Sequence, residues 1–306
     1  ILITGATGFV GSHVTRAAVL KGFDVHAVIR QVSSLARLAD IVDKMNTHQA
    51  LLEDRVGMLD LLNETKPDTI IHLAVSNIAS GKTADPRTLI KTNIEGSINL
   101  MDAALQTNVK AFINIGSFAE YGPKGHPVSE NERCDPLELY ALSKLATSLY
   151  GQGLAQRNNF PCTTFRFFTP YGPAMRPGTL VYNIVSKIKD GEPIPLTEPT
   201  VSRDFVYVED IPDLLFEAME YIDSCRGEIF NLGSGLSTTL ESIIKIVGTC
   251  LSKKPLPQWG AVPIQSYDSK LWQADMTKTF ARFKWRPHTP LVDGIQMTIR
   301  QMPSKI

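Results

Sequence analysis

Tyr140-Ala141-Leu142-Ser143-Lys144 sets a phenol and an ammonium four residues apart. In a helix that spacing puts both side chains on one face, with Cβ atoms roughly 5–6 Å apart, so they can act on a single ligand. A tyrosine keeps its proton up to a pKa of about 10, and a nearby cation lowers that value by stabilising the phenolate. The pair is therefore expected to work as an acid/base near neutral pH. The same spacing also describes a helix with its Tyr on the core and its Lys in water, so the rest of the chain must decide. Ser117 terminates the apolar run Ala111-Phe112-Ile113-Asn114-Ile115. A hydroxyl at a strand end faces the crevice where open α/β sheets bind ligands and can donate to a substrate oxygen; it can equally be a turn serine.

The elements that would position these groups are visible around them. Gly5-Ala6-Thr7-Gly8-Phe9-Val10-Gly11 joins the apolar run Ile1-Leu2-Ile3 to an amphipathic segment over 12–21. A strand entering a helix through G-x-x-G-x-x-G lets a pyrophosphate approach the backbone, where the helix N-terminus supplies free N–H groups and positive dipole. A tight turn with close helix packing would use the same glycines. Further β-type runs at 24–29, 69–73, 111–115 and 162–167 alternate with helical patterns, the longest at 88–106 and 139–156, with Pro136 just before the second. This alternation predicts an α/β fold, a parallel sheet with helices on both faces. After Thr169 the chain becomes rich in Pro and Gly (Pro170-Tyr171-Gly172-Pro173, Arg176-Pro177-Gly178, Gly191-Glu192-Pro193), which reads as a smaller, irregular substrate lobe.

Composition narrows the partners. Basic and acidic residues balance at 31 each, so no overall field draws the chain to nucleic acid or an anionic membrane; a compact anionic ligand fits better. Cys134, Cys162, Cys225 and Cys250 show neither C-x-x-C nor zinc-type spacing, which points to reduced thiols, no metal and a reducing, cytoplasmic setting. No apolar run reaches the roughly 18 residues of a membrane span.

Taken together, these residues make the chain similar to the extended short-chain dehydrogenase/reductase family, the nucleotide-sugar epimerases, dehydratases and 4-ketoreductases. Gly5, Gly8 and Gly11 resemble its cofactor turn, His72-Leu73-Ala74 its third βα crossing, and Thr92-Asn93-Ile94-Glu95-Gly96 the segment whose Asn supports the central helix. Ser117, Tyr140 and Lys144 match its catalytic triad, and Arg166-Phe167-Phe168-Thr169-Pro170-Tyr171-Gly172-Pro173 the loop after its sixth strand. Arg203-Asp204-Phe205-Val206-Tyr207-Val208-Glu209-Asp210-Ile211 and Phe230-Asn231-Leu232-Gly233-Ser234-Gly235 resemble its carboxyl-terminal signatures. The resemblance implies a Rossmann-type doubly wound domain over 1–168 and a mixed α/β substrate lobe over 169–306, part of which returns to the first domain. It implies cofactor contacts from Gly5, Thr7, Gly8, Phe9, Val10, Arg30, Leu73, Ala74, Tyr140, Lys144 and Phe167, and substrate contacts from Ser117, Phe118, Thr169, Arg176 and Arg203. The substrate is expected to be a nucleoside-diphosphate sugar, and the assembly a homodimer through the helices at 88–106 and 139–156.

Departures from the family pattern select among its chemistries. Phe118-Ala119 stands where dehydratases carry an Asp-Glu pair, so elimination of water is disfavoured. Thr169 replaces the usual Asn of its loop, and Trp272 stands three residues before Asp275, near where many UDP-sugar enzymes carry a diphosphate-binding Arg. Asp54 is either the adenine contact or a helix cap. The second strand ends at Arg30, with Ser33, Ser34 and Arg37 close behind. An acid at that end would bind the ribose hydroxyls of NAD, whereas a guanidinium can pair with the 2′-phosphate of NADP, unless it is simply solvated. The expectation is an NADPH-dependent reductase of a 4-keto (deoxy)sugar. The alternatives are a 4-epimerase using NAD or NADP and a non-catalytic nucleotide-sensing protein of the same fold.

Overall fold

A computed structural model describes residues 1–76 and 85–302 of the 306. The first half alternates as expected: β1 (Leu2–Thr4), α1 (Phe9–Leu20), β2 (His26–Ile29), β3 (Asn46–Gln49), α2 (Arg55–Thr65), β4 (Thr69–His72), α3 (Pro86–Leu89), α4 (Gly96–Gln106), β5 (Ala111–Ser117), α5 (Leu139–Asn158) and β6 (Cys162–Phe167). A π-helical turn, Ile90–Glu95, joins α3 to α4, and a 3-10 turn, Phe118–Tyr121, follows β5. Then come β7 (Thr169–Tyr171), α6 (Leu180–Asp190), β8 (Ile194–Pro195), β9 (Ser202–Tyr207), α7 (Ile211–Glu220), α8 (Ile222–Cys225), β10 (Ile229–Leu232), β11 (Ser237–Thr239), α9 (Leu240–Leu251), β12 (Pro257–Gln258), β13 (Leu271–Trp272), α10 (Thr277–Arg282) and α11 (Leu291–Gln301).

Seven strands form one parallel sheet in the order β10-β6-β5-β4-β1-β2-β3. Side chains alternate across a strand, so neighbouring apolar residues must be covered on opposite faces. Ile3, Ile71 and Ile113 accordingly pack with Val14 and Ala18 of α1 and Leu214, Leu215 and Phe216 of α7. Leu2, Ile70 and Phe112 pack with Met58 and Leu62 of α2, Leu100 and Met101 of α4 and Leu154 of α5. A continuous apolar run thus becomes a strand buried on both sides. The strand order reverses between β1 and β4, and a crevice opens at their carboxyl ends.

Two strands of this seven-stranded sheet lie outside the expected set. β3 is Asn-Thr-His-Gln, a polar edge strand, held to β2 in part by His26 Nδ1 and His48 Nε2, 2.8 Å apart. β10 comes from the second half of the chain and pairs with β6, bringing Phe230 into the main core. Asp54 proves to be a cap: its Oδ1 accepts from the Gly57 N–H at 3.0 Å at the start of α2.

The second half also builds its own core around β9, flanked by β7, β11 and β13 and covered by Ile184 and Val185 of α6, Ile243 and Val247 of α9 and Ile295 of α11. The buried carboxylate of Asp204 fastens this lobe to the turn after β10. It accepts from the N–H groups of Ser234 (2.6 Å), Gly235 (2.9 Å) and Ala274 (3.0 Å) and from the Ser234 hydroxyl (2.7 Å). Burial raises its pKa, with these four donors opposing. Asp204→Ala orphans three N–H groups at once, that of Ala274 fully buried and the other two partly so, and should lower unfolding stability by roughly 2–4 kcal/mol in a urea titration.

Candidate active site

The glycine turn is defined by contact. Gly5, at φ +70°, lies so near β4 that a Cβ there would come within 2.6 Å of Ala74 N and Leu73 C; one on Gly11 would sit 2.0 Å from Gly5 O. These two glycines therefore press β1, α1 and the end of β4 together. Gly8 is different, being exposed at the N-cap of α1, where no side chain caps the helix. The free N–H groups and positive end of a 12-residue helix are thus presented at the crevice beside Thr7, Phe9 and Val10, a cradle that fits a dinucleotide pyrophosphate. Arg30 is exposed at the end of β2, and its N–H donates to Ser33 Oγ at 3.0 Å. Arg37 reaches further: it donates to Thr7 O at 3.3 Å and to Ala174 O at 3.0 Å, tying the glycine turn to the loop after β7. His13 adds a second tie, Nε2 donating to Pro173 O at 2.9 Å.

The structure brings the Tyr140 phenol to Ser117, with Lys144 one turn further along the same helix. β5 continues through Ser117, whose hydroxyl accepts from Ala119 N–H at 3.2 Å and is hydrogen-bonded to the Tyr140 phenol. Lys144 follows one turn along α5 and is 5% exposed. Burial lowers its pKa to about 8, with Glu120 opposing. The expected lowering of the Tyr140 pKa is not found in the chain by itself. Burial raises it, outweighing the Ser117 hydrogen bond, and the cation acting on the phenol is Arg176, not Lys144.

Beneath the triad lies a framework that the triad motif does not announce. His72 is fully buried, and burial, with Lys144 adding to it, lowers its pKa to about 3, so it is neutral. Ser97 Oγ donates to Asn93 O at 2.6 Å, which leaves it to accept from His72 Nε2–H at 2.8 Å; His72 Nδ1 then accepts from Thr4 Oγ1 at 2.7 Å. Asn93, in the π-helical turn, donates to Ser143 Oγ at 3.0 Å and so holds α5 from behind. Glu120 joins Ser117 to Arg166 and was missed in the sequence, although Ser117-x-x-Glu120 is a capping box.

The candidate substrate contacts divide. Phe118 packs on Trp272 (ring centroids 4.6 Å apart) and Phe168 (5.7 Å), which makes an apolar wall beside Ser117. Thr169 is partly buried on β7, in register with Phe205. Phe167 is in the core, 7% exposed, opposite Ser117 in the sheet register. Arg176, partly buried in the loop after β7, acts electrostatically on both Tyr140 and Arg37. Arg203 is not presented as the expected anion partner: its Nη2 pairs with Asp268 at 2.6 Å, and Asp268 also accepts from the Trp272 indole at 2.8 Å. Among the described residues, no group of three or more His, Cys, Asp or Glu could hold a metal, and no helix is long and apolar enough to cross a membrane. All four cysteines are free thiols.

Two outcomes follow from this geometry. Tyr140→Phe removes the hydroxyl that meets Ser117 but little surface, so turnover should fall by a factor on the order of 10²–10⁴ while dinucleotide affinity, measured by titration, stays nearly unchanged. Lys144→Met should also abolish turnover yet stabilise the ligand-free protein. Because burial depresses the folded-state pKa from 10.5 to about 8, the folded chain binds fewer protons than the unfolded one between those values. The cost of charging Lys144, on the order of 3 kcal/mol, is therefore fully present below pH 8 and fades as pH rises toward 10.5. Thermal melts at pH 7 and pH 10 should show the variant's advantage shrinking at the higher pH.

Known proteins share this fold. The chain is 30% identical over 295 residues to a probable UDP-glucuronate 4-epimerase of Rhizobium meliloti, covering 86% of each. A crystal structure of UDP-glucose 4-epimerase with UDP-glucose from Thermotoga maritima superposes with a TM-score of 0.87 at 26% identity, over 98% of this chain and 97% of that one. The fold is also that of UDP-glucuronic acid 4-epimerase from Bacillus cereus, whose structure holds UDP-glucuronic acid and NAD: TM-score 0.88, 23% identity, 98% of both chains. The family model described as NAD dependent epimerase/dehydratase matches residues 1–233, and with the glycine turn and the Ser117, Tyr140 and Lys144 site in place the chain belongs to that family.

Proposed function

We propose that this protein is a 4-epimerase of a UDP-hexose, working with NAD held through the catalytic cycle. The observation that carries the reading is the Tyr140 phenol hydrogen-bonded to Ser117, with Lys144 one turn away, at the strand ends beside an uncapped helix N-terminus. Similarity to the Rhizobium and Thermotoga epimerases supports epimerisation over the NADPH-dependent 4-keto reduction expected from the sequence. That expectation leaned on Arg30, Thr169 and Trp272, and each has a plainer account. Arg30 is in solvent, Thr169 is a strand residue, and Trp272 is anchored by Asp268. Neither relatives nor structural neighbours support a preference for NADP over NAD.

When bound, a nicotinamide dinucleotide supplies reversible acceptance of a hydride. In the proposed cycle Tyr140 takes the proton from the sugar 4-hydroxyl and returns it to the same oxygen after the sugar has turned over. Ser117 hydrogen-bonds that oxygen in both orientations. Lys144, one turn along α5, is proposed to hold the nicotinamide ribose. Gly5, Thr7, Gly8, Phe9, Val10, Leu73 and Ala74 form the dinucleotide cradle. Arg176 is proposed as the cation for the substrate diphosphate; Arg203 can join it only by leaving Asp268. The apolar wall of Phe118, Trp272 and Phe168 supports a neutral hexose over a uronate.

The test needs no added cofactor. Purified protein incubated with UDP-glucose should form UDP-galactose, followed by chromatography of the nucleotide sugars, and should act on UDP-glucuronate at least tenfold more slowly; acid-denatured protein should release NAD. In the same preparation Arg30→Ala should change NAD affinity by less than about tenfold, since one exposed charge contributes little to binding. Release of NADP, or consumption of NADPH with a 4-keto sugar and no interconversion of 4-hydroxy sugars, would return the reductase.

A further inference from the structure

Glu120 is fully buried, and both of its carboxylate oxygens are bonded to the chain. Oε1 accepts from the Ser117 N–H at 2.8 Å and from the Ser148 hydroxyl at 3.1 Å, while Oε2 accepts from Arg166 Nε at 2.7 Å. Tyr140, Lys144 and Ser148 succeed one another at four-residue intervals on α5, so Ser148 continues the stripe that carries the acid/base pair. One oxygen atom is therefore bonded both to the backbone of the residue whose hydroxyl meets Tyr140 and to the helix that carries Tyr140. β5 itself makes room for it: a Cβ on Gly116 would lie 2.5 Å from Oε1.

We propose that Glu120 is a positioning residue for proton transfer, setting the separation between the Ser117 hydroxyl and the Tyr140 and Lys144 face of α5 by bonding Ser117 N–H and Ser148 Oγ–H with a single oxygen. The inference rests on the reading of Tyr140 as the acid/base. The charge of the carboxylate acts in addition to its geometry. The phenol is raised first by burial; Glu120 and Glu138 push the same way, and the Ser117 hydrogen bond and Arg176 push back. Lys144, lowered by burial, is raised by Glu120. Arg166, on β6, is the balancing charge for Glu120.

Two variants separate the geometric from the electrostatic part. Ser148→Ala cuts only the link to the helix and exposes no charge. It should fold normally and lose roughly tenfold or more in kcat with little change in KM, as expected when reacting groups are displaced by a fraction of an ångström. Glu120→Gln keeps an acceptor oxygen but removes the negative charge and leaves Arg166 unbalanced, both of which favour the phenolate. The phenolate absorbance change, isolated by subtracting Tyr140→Phe spectra, should then titrate at lower pH than in the wild type, and so should the rising limb of kcat. A folded Ser148→Ala protein with wild-type kcat, or a folded Glu120→Gln protein whose phenolate titrates as in the wild type, would overturn the proposal. If Glu120→Gln does not fold, Ser148→Ala decides. The spectroscopic titration needs no sugar, so a wild-type protein inactive on UDP-hexoses would overturn the proposed function while leaving Glu120 to be decided by the phenolate.

Discussion

Two opposite charges inside the fold constrain much of what surrounds them. Glu120 is 0% and Arg166 2% exposed, and their atoms meet at 2.7 Å. Removing two ions from water costs several kcal/mol each, which mutual attraction offsets only where the remaining donors and acceptors are also used. Here they are. The carboxylate takes Ser117 N–H and the Ser148 hydroxyl, and the guanidinium donates to Cys134 Sγ and lies over the Tyr121 ring at 4.4 Å. The Tyr121 hydroxyl donates to Asn231 Oδ1 at 2.7 Å, which brings in β10. Strands β5, β6 and β10 and helix α5 thus meet at one ion pair, and Ser117 and Lys144 stand on the elements it joins.

On the other side of the site the constraint is steric. Gly5 and Gly11 allow β1, α1 and the end of β4 to approach to distances at which any side chain would collide with backbone. That approach leaves the N-terminus of α1 bare at the crevice. The loop after β7 is bonded to the glycine turn through Arg37 and to α1 through His13, so the two halves of the chain are tied beside the crevice.

Between these two constraints the site holds groups that stability alone would not select. Lys144 is buried beside a neutral His72, and its ammonium is disfavoured by that burial. The His72, Ser97, Asn93 and Thr4 hydrogen-bond chain needs His72 uncharged, which removes one cation from the neighbourhood of Lys144 and keeps the framework rigid without a compensating anion. The phenol is likewise held protonated in the ligand-free chain. Such a site is poised for a charged or strongly polar ligand to complete its electrostatics.

Local pattern was enough for the architecture and for the names of the chemical groups. Short apolar runs between helical periods can be buried only as parallel strands covered on both faces, and Tyr140 and Lys144 share a helix face wherever that helix lies, so β1, β4, β5, β6, α5 and the glycine turn were all legible. β3 was not, because Asn46-Thr47-His48-Gln49 lies at an exposed sheet edge and carries no apolar signal. Nor could the chain by itself say that Asp268 occupies Arg203, that Arg176 acts on Tyr140, or that burial would outweigh that cation in setting the phenol's pKa. Those outcomes depend on distances and solvent exclusion between residues far apart in sequence, Arg203 with Asp268 and Ser117 with Tyr140 among them. Periodicity and spacing carry local geometry, whereas the cost of a charge depends on what tertiary packing brings against it and how completely that packing removes the water.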